Sequence, residues 1–178
     1  MLKNFILISL FLSNFFIQSQ NLPVDDKSGK ITFMKTVDAK GLSAEKLYQI
    51  AKEWGNEQSF TLVESKPNSK IIFNGSCKVN YPATKSAEKL DGRVEFKFHF
   101  GAKEGKYRYI AVEFIHKGAP KDGGALEDRV PDCEFINISS RSWTVIKKQT
   151  HKEVLLLIDT LVKKITAEQN DPTKNDDW

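Results

Sequence analysis

The sequence is poor in the residues that most often carry chemistry. Its 178 residues include two cysteines and three histidines, and they contain no HExxH, CxxC, Walker-type glycine loop or GxSxG. That removes the usual sequence signs of a zinc hydrolase, a dithiol centre, a phosphate cradle and a serine hydrolase. No internal repeat and no low-complexity tract is present, which leaves a single domain of ordinary size with a real core. A dominant charge is missing too. Lys and Arg number 27 against 23 Asp and Glu, a net charge of +4, and the two signs are interspersed. A nucleic-acid partner would call for a clustered basic patch, so none is expected. The longest apolar run, Phe5–Ile17, is thirteen residues, short of the roughly 20 that a membrane-spanning helix needs.

That run has the proportions of a secretory signal. One positive charge precedes it and a polar Gln18–Asn21 stretch follows, so residues 1–20 are expected to be removed after Ser19 or Gln20. An exported protein with no span after signal removal follows, periplasmic or secreted. Export makes a bridge between Cys77 and Cys133 chemically permissible. Cys77 shares a row with Ile71 and Phe73, whereas Cys133 sits in irregular sequence. A buried free thiol at Cys77 is the alternative.

What is present is a strong alternation between Arg93 and His116. Val94, Phe96, Phe98 and Phe100 fall on one face, and Glu95, Lys97 and His99 on the other. After a Gly101–Gly105 loop, Ile110, Val112 and Phe114 make a second apolar row opposite Tyr107, Tyr109, Ala111 and Glu113. Both arms read as half-buried strands of a hairpin. Further strands are expected over residues 31–37, 60–64 and 70–81. Ser43 caps a first helix whose stripe is Leu47, Ile50, Ala51 and Trp54, with Gly55 as its stop. A second helix spans residues 141–168. Trp143, Ile146, Val154, Leu157, Ile158, Leu161 and Ile165 share its broad face, while Val145 and Leu156 project rearward. The patternless span 117–140 is either a packed crossover held by Cys133 or a flap.

The order is βαββββα, an α+β fold in which an antiparallel five-stranded sheet carries both helices on one face, TBP-like or helix-grip-like. A polar lead-in at 21–29, the domain at 30–168 and a disordered tail at 169–178 complete the organisation. In the stretches KITFMKTVDAKGLSAEKLYQIAKEW, SKIIFNGSCKVNY, GKYRYIAVEFIHKG and WTVIKKQTHKEVLLLIDTLVKKI, the chain resembles the exported bacterial domain of unknown function 4468, described as TBP-like. The resemblance covers about Gly29 to Glu168. It implies this fold and an exported protein of Gram-negative bacteria, and it carries no activity or catalytic residue.

No catalytic set and no cofactor is expected, and His99 and His116 lie too far apart along the hairpin to suggest a shared metal. The helix-free sheet face is the candidate surface. By parity it shows Met34, Asn74, Lys78, Glu95, Lys97, His99, Tyr107, Tyr109 and Glu113, with Lys97, His99, Tyr107, Tyr109 and Glu113 as the binding candidates. Tyrosines among mixed charges suit an envelope protein or a glycan. The second expectation is a carrier holding a small apolar ligand between the sheet and the C-terminal helix.

Overall fold

The computed structural model describes residues 22–84, 88–118, 121–133 and 138–171. The expected signal at 1–20, and all of the expected tail beyond residue 171, lie outside the described residues. The elements are β1 (Phe33–Asp38), α1 (Ala44–Glu57), β2 (Thr61–Lys66), β3 (Lys70–Pro82), β4 (Lys89–Lys103), β5 (Lys106–Gly118), β6 (Gly124–Ala125) and α2 (Ser140–Gln169). The sheet order is β1-β5-β4-β3-β2, antiparallel throughout, with the two-residue β6 added to β5.

Both helices start where the sequence supplies a cap. The Ser43 hydroxyl accepts the Lys46 N–H and the Ser139 hydroxyl accepts the Ser142 N–H, each satisfying an orphan donor of a first turn. Gly55 does not stop α1. It lies inside the helix, where a Cβ would come within 2.4 Å of the Phe73 ring. The missing side chain lets the helix sit close on β3. On α2 the stripe buries Trp143, Ile146, Val154, Ile158, Leu161 and Ile165, at about 1.5–3 kcal/mol each. Trp54 Nε1 donates to Thr160 Oγ1 at 2.9 Å and ties the helices together.

One core cluster fills the space between sheet and helices. Phe96, Phe98 and Phe100 enter it from β4, beside Trp54, Phe60, Phe73 and Phe114. Strand β2 covers only residues 70–74 of β3, so the rest of that edge needs another partner. Gln149 of α2 provides it. Its amide accepts the Asn80 N–H at 2.8 Å and donates to the Asn80 carbonyl at 2.7 Å.

The hairpin turn is tighter than expected. Lys103 pairs with Lys106, leaving only Glu104 and Gly105 to turn, with Gly105 at φ +66°, a conformation glycine adopts without steric cost. Strand β5 departs further from expectation. Glu95 pairs with Ile115 and Lys97 with Val112. Phe96 therefore stands opposite two residues, Glu113 and Phe114, with Glu113 at φ +60°. This β-bulge shifts the side-chain phase by one. Tyr107, Tyr109 and Ala111 share the core face with Phe114 and His116, and Ile110 and Val112 turn to the helix-free face, half-buried.

Of the span 117–140, the described part is a packed crossover. Strand β6 pairs with β5 beyond the bulge, and Leu126 and Ile138 are buried. Cys133 does not pin it by a bridge, since Cys77 and Cys133 are both free and buried. Burial, reinforced by nearby Glu153, pushes the Cys77 thiol up to about 12, so it stays protonated and inert.

Candidate functional site on the helix-free sheet face

The bulge decides which side chains reach the open face. Tyr107 and Tyr109 do not. They are 2% and 8% exposed and stack on Phe100 and Phe98 at 5.6 and 6.3 Å between ring centroids. Burial pushes the Tyr107 hydroxyl up to about 12 and raises that of Tyr109. Their expected place among the surface contacts is thus corrected: they are core residues, because the extra residue at Glu113 reverses the parity read from the sequence.

Lys97, His99 and Glu113 do come together on the helix-free side. Lys97 Nζ lies 2.7 Å from Glu113 Oε2, an exposed pair. His99 stands between Ile72 and Ile110 in one cross-strand row that Met34 extends. Desolvation by those neighbours, helped by the Lys70 charge, lowers its proton affinity. Its Nε2 is buried without a hydrogen-bond partner. His116 is on the opposite side, fully buried, where its Nδ1 accepts the Gly123 N–H at 3.1 Å. The two histidines therefore cannot share a metal.

Beyond the bulge the open face deepens into a cleft of about 900 Å³ lined by Ser76, Lys78, Asn80, Asp91, Gly92, Arg93, Glu95, Lys117, Gly118 and Asp122. Gly92 and Gly118 are register partners in its floor. They are glycines because of what lies beneath: a Cβ on Gly92 would meet His116 Nε2 at 2.7 Å, and one on Gly118 would meet the Tyr81 hydroxyl at 2.7 Å. A second hollow of about 350 Å³ continues from the first through Ser76 and Glu95 to Lys97, Glu113 and Ile115.

Two of the three cationic side chains in the cleft are paired locally. Arg93 Nε donates to Glu95 Oε1 at 2.8 Å, and Lys117 Nζ to Asp122 Oδ2 at 2.7 Å. The second bond lowers the proton affinity of Asp122 and raises that of Lys117. Both stay ionised across the physiological range, which suits ionic and hydrogen-bonded recognition rather than proton transfer near neutrality. Sequence reasoning had placed Lys78 and Glu95 on this face. It missed the contributions of Arg93, Lys117 and Asp122, for which parity along β4 was the available signal at Arg93 alone.

The other expected site, between the sheet and α2, is occupied by the protein's own side chains. Trp54, Phe73, Phe98, Leu161 and Ile165 are all at most 1% exposed there. Among the described residues, no helix is long and apolar enough to cross a membrane.

A single antiparallel sheet with two helices on one side and the other side bare defines an α+β domain of TBP-like architecture. Solved structures share it. A DUF4468 family protein from Bacteroides ovatus matches with a TM-score of 0.58 at 12% identity, covering 78% of this chain and 89% of its own. A TBP-like protein from Parabacteroides distasonis matches with a TM-score of 0.58 at 14% identity, covering 82% and 97%. The family described as "Domain of unknown function (DUF4468) with TBP-like fold" matches residues 33–116 of the chain. No curated protein matches the chain.

Proposed function

We propose that the protein is an exported, non-catalytic binding module that takes its ligand, an envelope protein or glycan, on the helix-free face of the sheet. The observation that carries this reading is the continuous pair of hollows on that face, floored by backbone and walled by ionised and hydrogen-bonding side chains. A sheet face kept only for solubility has no use for a 900 Å³ recess. The export half of the reading rests on the charged start and apolar run of residues 1–20.

The experiment blocks the recess from within. Ser76, which lines both hollows, and Ile115, which lines the smaller one, flank Glu95 in one cross-strand row, and Ser76→Arg with Ile115→Arg fills the junction of the hollows with two long side chains. Both positions are exposed, so stability should hold to within about 0.5 kcal/mol. Capture of ligand from envelope extract or from an array of envelope glycans should fall at least about tenfold. Capture at the wild-type level would overturn the reading. Intact-mass measurement of protein from the expressing cells should find the chain starting near Asn21. A retained Met1 in the cytosolic fraction would remove the export half.

A further inference from the structure

Three basic side chains occupy one rung of the open face. Lys78 on β3 is the register partner of Arg93 on β4, and Arg93 is the partner of Lys117 on β5. Like charges directly opposite one another destabilise a sheet. The core needs none of the three, since all project from the helix-free side. Two are partly neutralised, Arg93 through Nε by Glu95 and Lys117 by Asp122. Among the described residues the Lys78 ammonium has no ion-pair partner, and the Arg93 guanidinium keeps both terminal nitrogens for a further acceptor.

The neighbours restrict what that acceptor is. Asp91, Glu95 and Asp122 line the same cleft and would repel a dianion or an extended polyanion. One planar monoanion matches the free ammonium and the open end of the guanidinium fork. Every residue lining the recess is polar, charged or glycine; no aliphatic or aromatic wall awaits a peptide side chain. Ser76 and Asn80, on either side of Lys78, add neutral hydrogen-bonding groups.

Resting on the open-face reading above, we infer that this rung recognises the carboxylate of a sugar acid. The carboxylate sits on Lys78 and Arg93, and the ligand's hydroxyls meet Ser76, Asn80, Asp91 and Glu95. The test is a titration of the ¹⁵N-labelled protein with glucuronate, glucose, acetate and glucose 6-phosphate, followed through the amides of Lys78, Gly92, Arg93 and Gly118. Glucuronate should bind about tenfold or more tightly than glucose or acetate, weakening as salt rises. Lys78→Ala and Arg93→Ala should each lower that affinity about tenfold without lowering the melting temperature. Equal binding of glucose or acetate, tighter binding of the phosphate, undiminished binding by the variants, or no response to glucuronate each overturns the inference. If Ser76→Arg/Ile115→Arg abolishes ligand capture while Lys78→Ala leaves it intact, the open face stands as the binding surface and the sugar-acid assignment falls.

Discussion

Strands β4 and β5 are neighbours of similar length, yet they keep phase differently. Strand β4 alternates without interruption from Val94 to Ala102, every second residue buried. Strand β5 alternates from Tyr107 to Ala111, slips at Glu113, and resumes in the opposite phase at Phe114 and His116. The slip falls where the outer edge of β5 changes partner, from β1 at residues 106–111 to β6 at 115–116. A bulge bends a strand and raises its local twist, and here it lets one strand serve two short edge partners while keeping its large side chains inward. The consequence is functional as well as structural: Glu113 is turned out to Lys97, and the charged end of the open face is set apart from the aliphatic end around Ile72, Ile110 and Met34.

The largest expected effect comes from attacking the half of β5 before the bulge. Tyr109→Ala removes a ring stacked on Phe98, which itself lies 4.8 Å from Trp54 between centroids. It should cost about 3–5 kcal/mol, read as a fall in the urea midpoint at constant slope, whereas Tyr109→Phe should cost less than about 1 kcal/mol. Lys97→Ala, on the opposite face of the neighbouring strand, breaks only an exposed ion pair and should cost no more than about 1 kcal/mol. If Tyr109→Ala and Lys97→Ala were equally mild, the phase slip at Glu113 would be wrong.

Half of this contrast is legible in the sequence. The unbroken alternation of β4, the Ser43 cap and the seven-residue stripe of α2 all mark themselves, because each follows one period with ordinary residues. The bulge does not. Its residue is a glutamate at positive φ rather than the glycine that advertises such a turn, and Ile110, Val112 and Phe114 look greasier than Tyr107, Tyr109 and Ala111. A single uninterrupted phase is then the natural reading, and it sends the tyrosines to the wrong side. Gly55 misleads for a related reason, because glycine serves close approach to Phe73 as readily as it ends a helix. The Lys78–Arg93–Lys117 rung depends on the mutual register of three strands, and neither that nor the separation of two thiols is written in any local pattern.

Beyond the bulge the expected effect is smaller and depends on pH. Burial lowers the proton affinity of His116 below that of an exposed histidine, with Asp122 opposing the shift only in part. The unfolded chain therefore binds a proton that the folded chain refuses between pH 6.5 and the lower folded value. Stability is full above that window and falls as the pH drops through it, by at most about 1.4 kcal/mol per pH unit for one group. His99 is shifted in the same direction by its own desolvation and by Lys70. Urea midpoints between pH 7.5 and about 5 should therefore decline in the wild type and decline less in His116→Gln. An unchanged slope in that variant would mean that His116 is solvated when folded.

The smallest effect tests the bulge residue directly. Glu113 holds φ +60°, a conformation that costs an L-residue with a Cβ roughly 1–2 kcal/mol and glycine almost nothing. Glu113→Gly also gives up the exposed Lys97 pair, worth at most about 1 kcal/mol, and adds freedom to the unfolded chain, worth about 0.4–1 kcal/mol. These terms nearly cancel, so the substitution should leave stability within about 0.5 kcal/mol of the wild type, with Tyr107 and Tyr109 still protected from solvent. Glu113→Val has no such compensation: a β-branched side chain at this φ is strained further, and it should be destabilising by about 1–3 kcal/mol. Were valine tolerated as well as glycine, the backbone at 113 would be extended, β5 would run in a single phase, and the tyrosines would return to the open face.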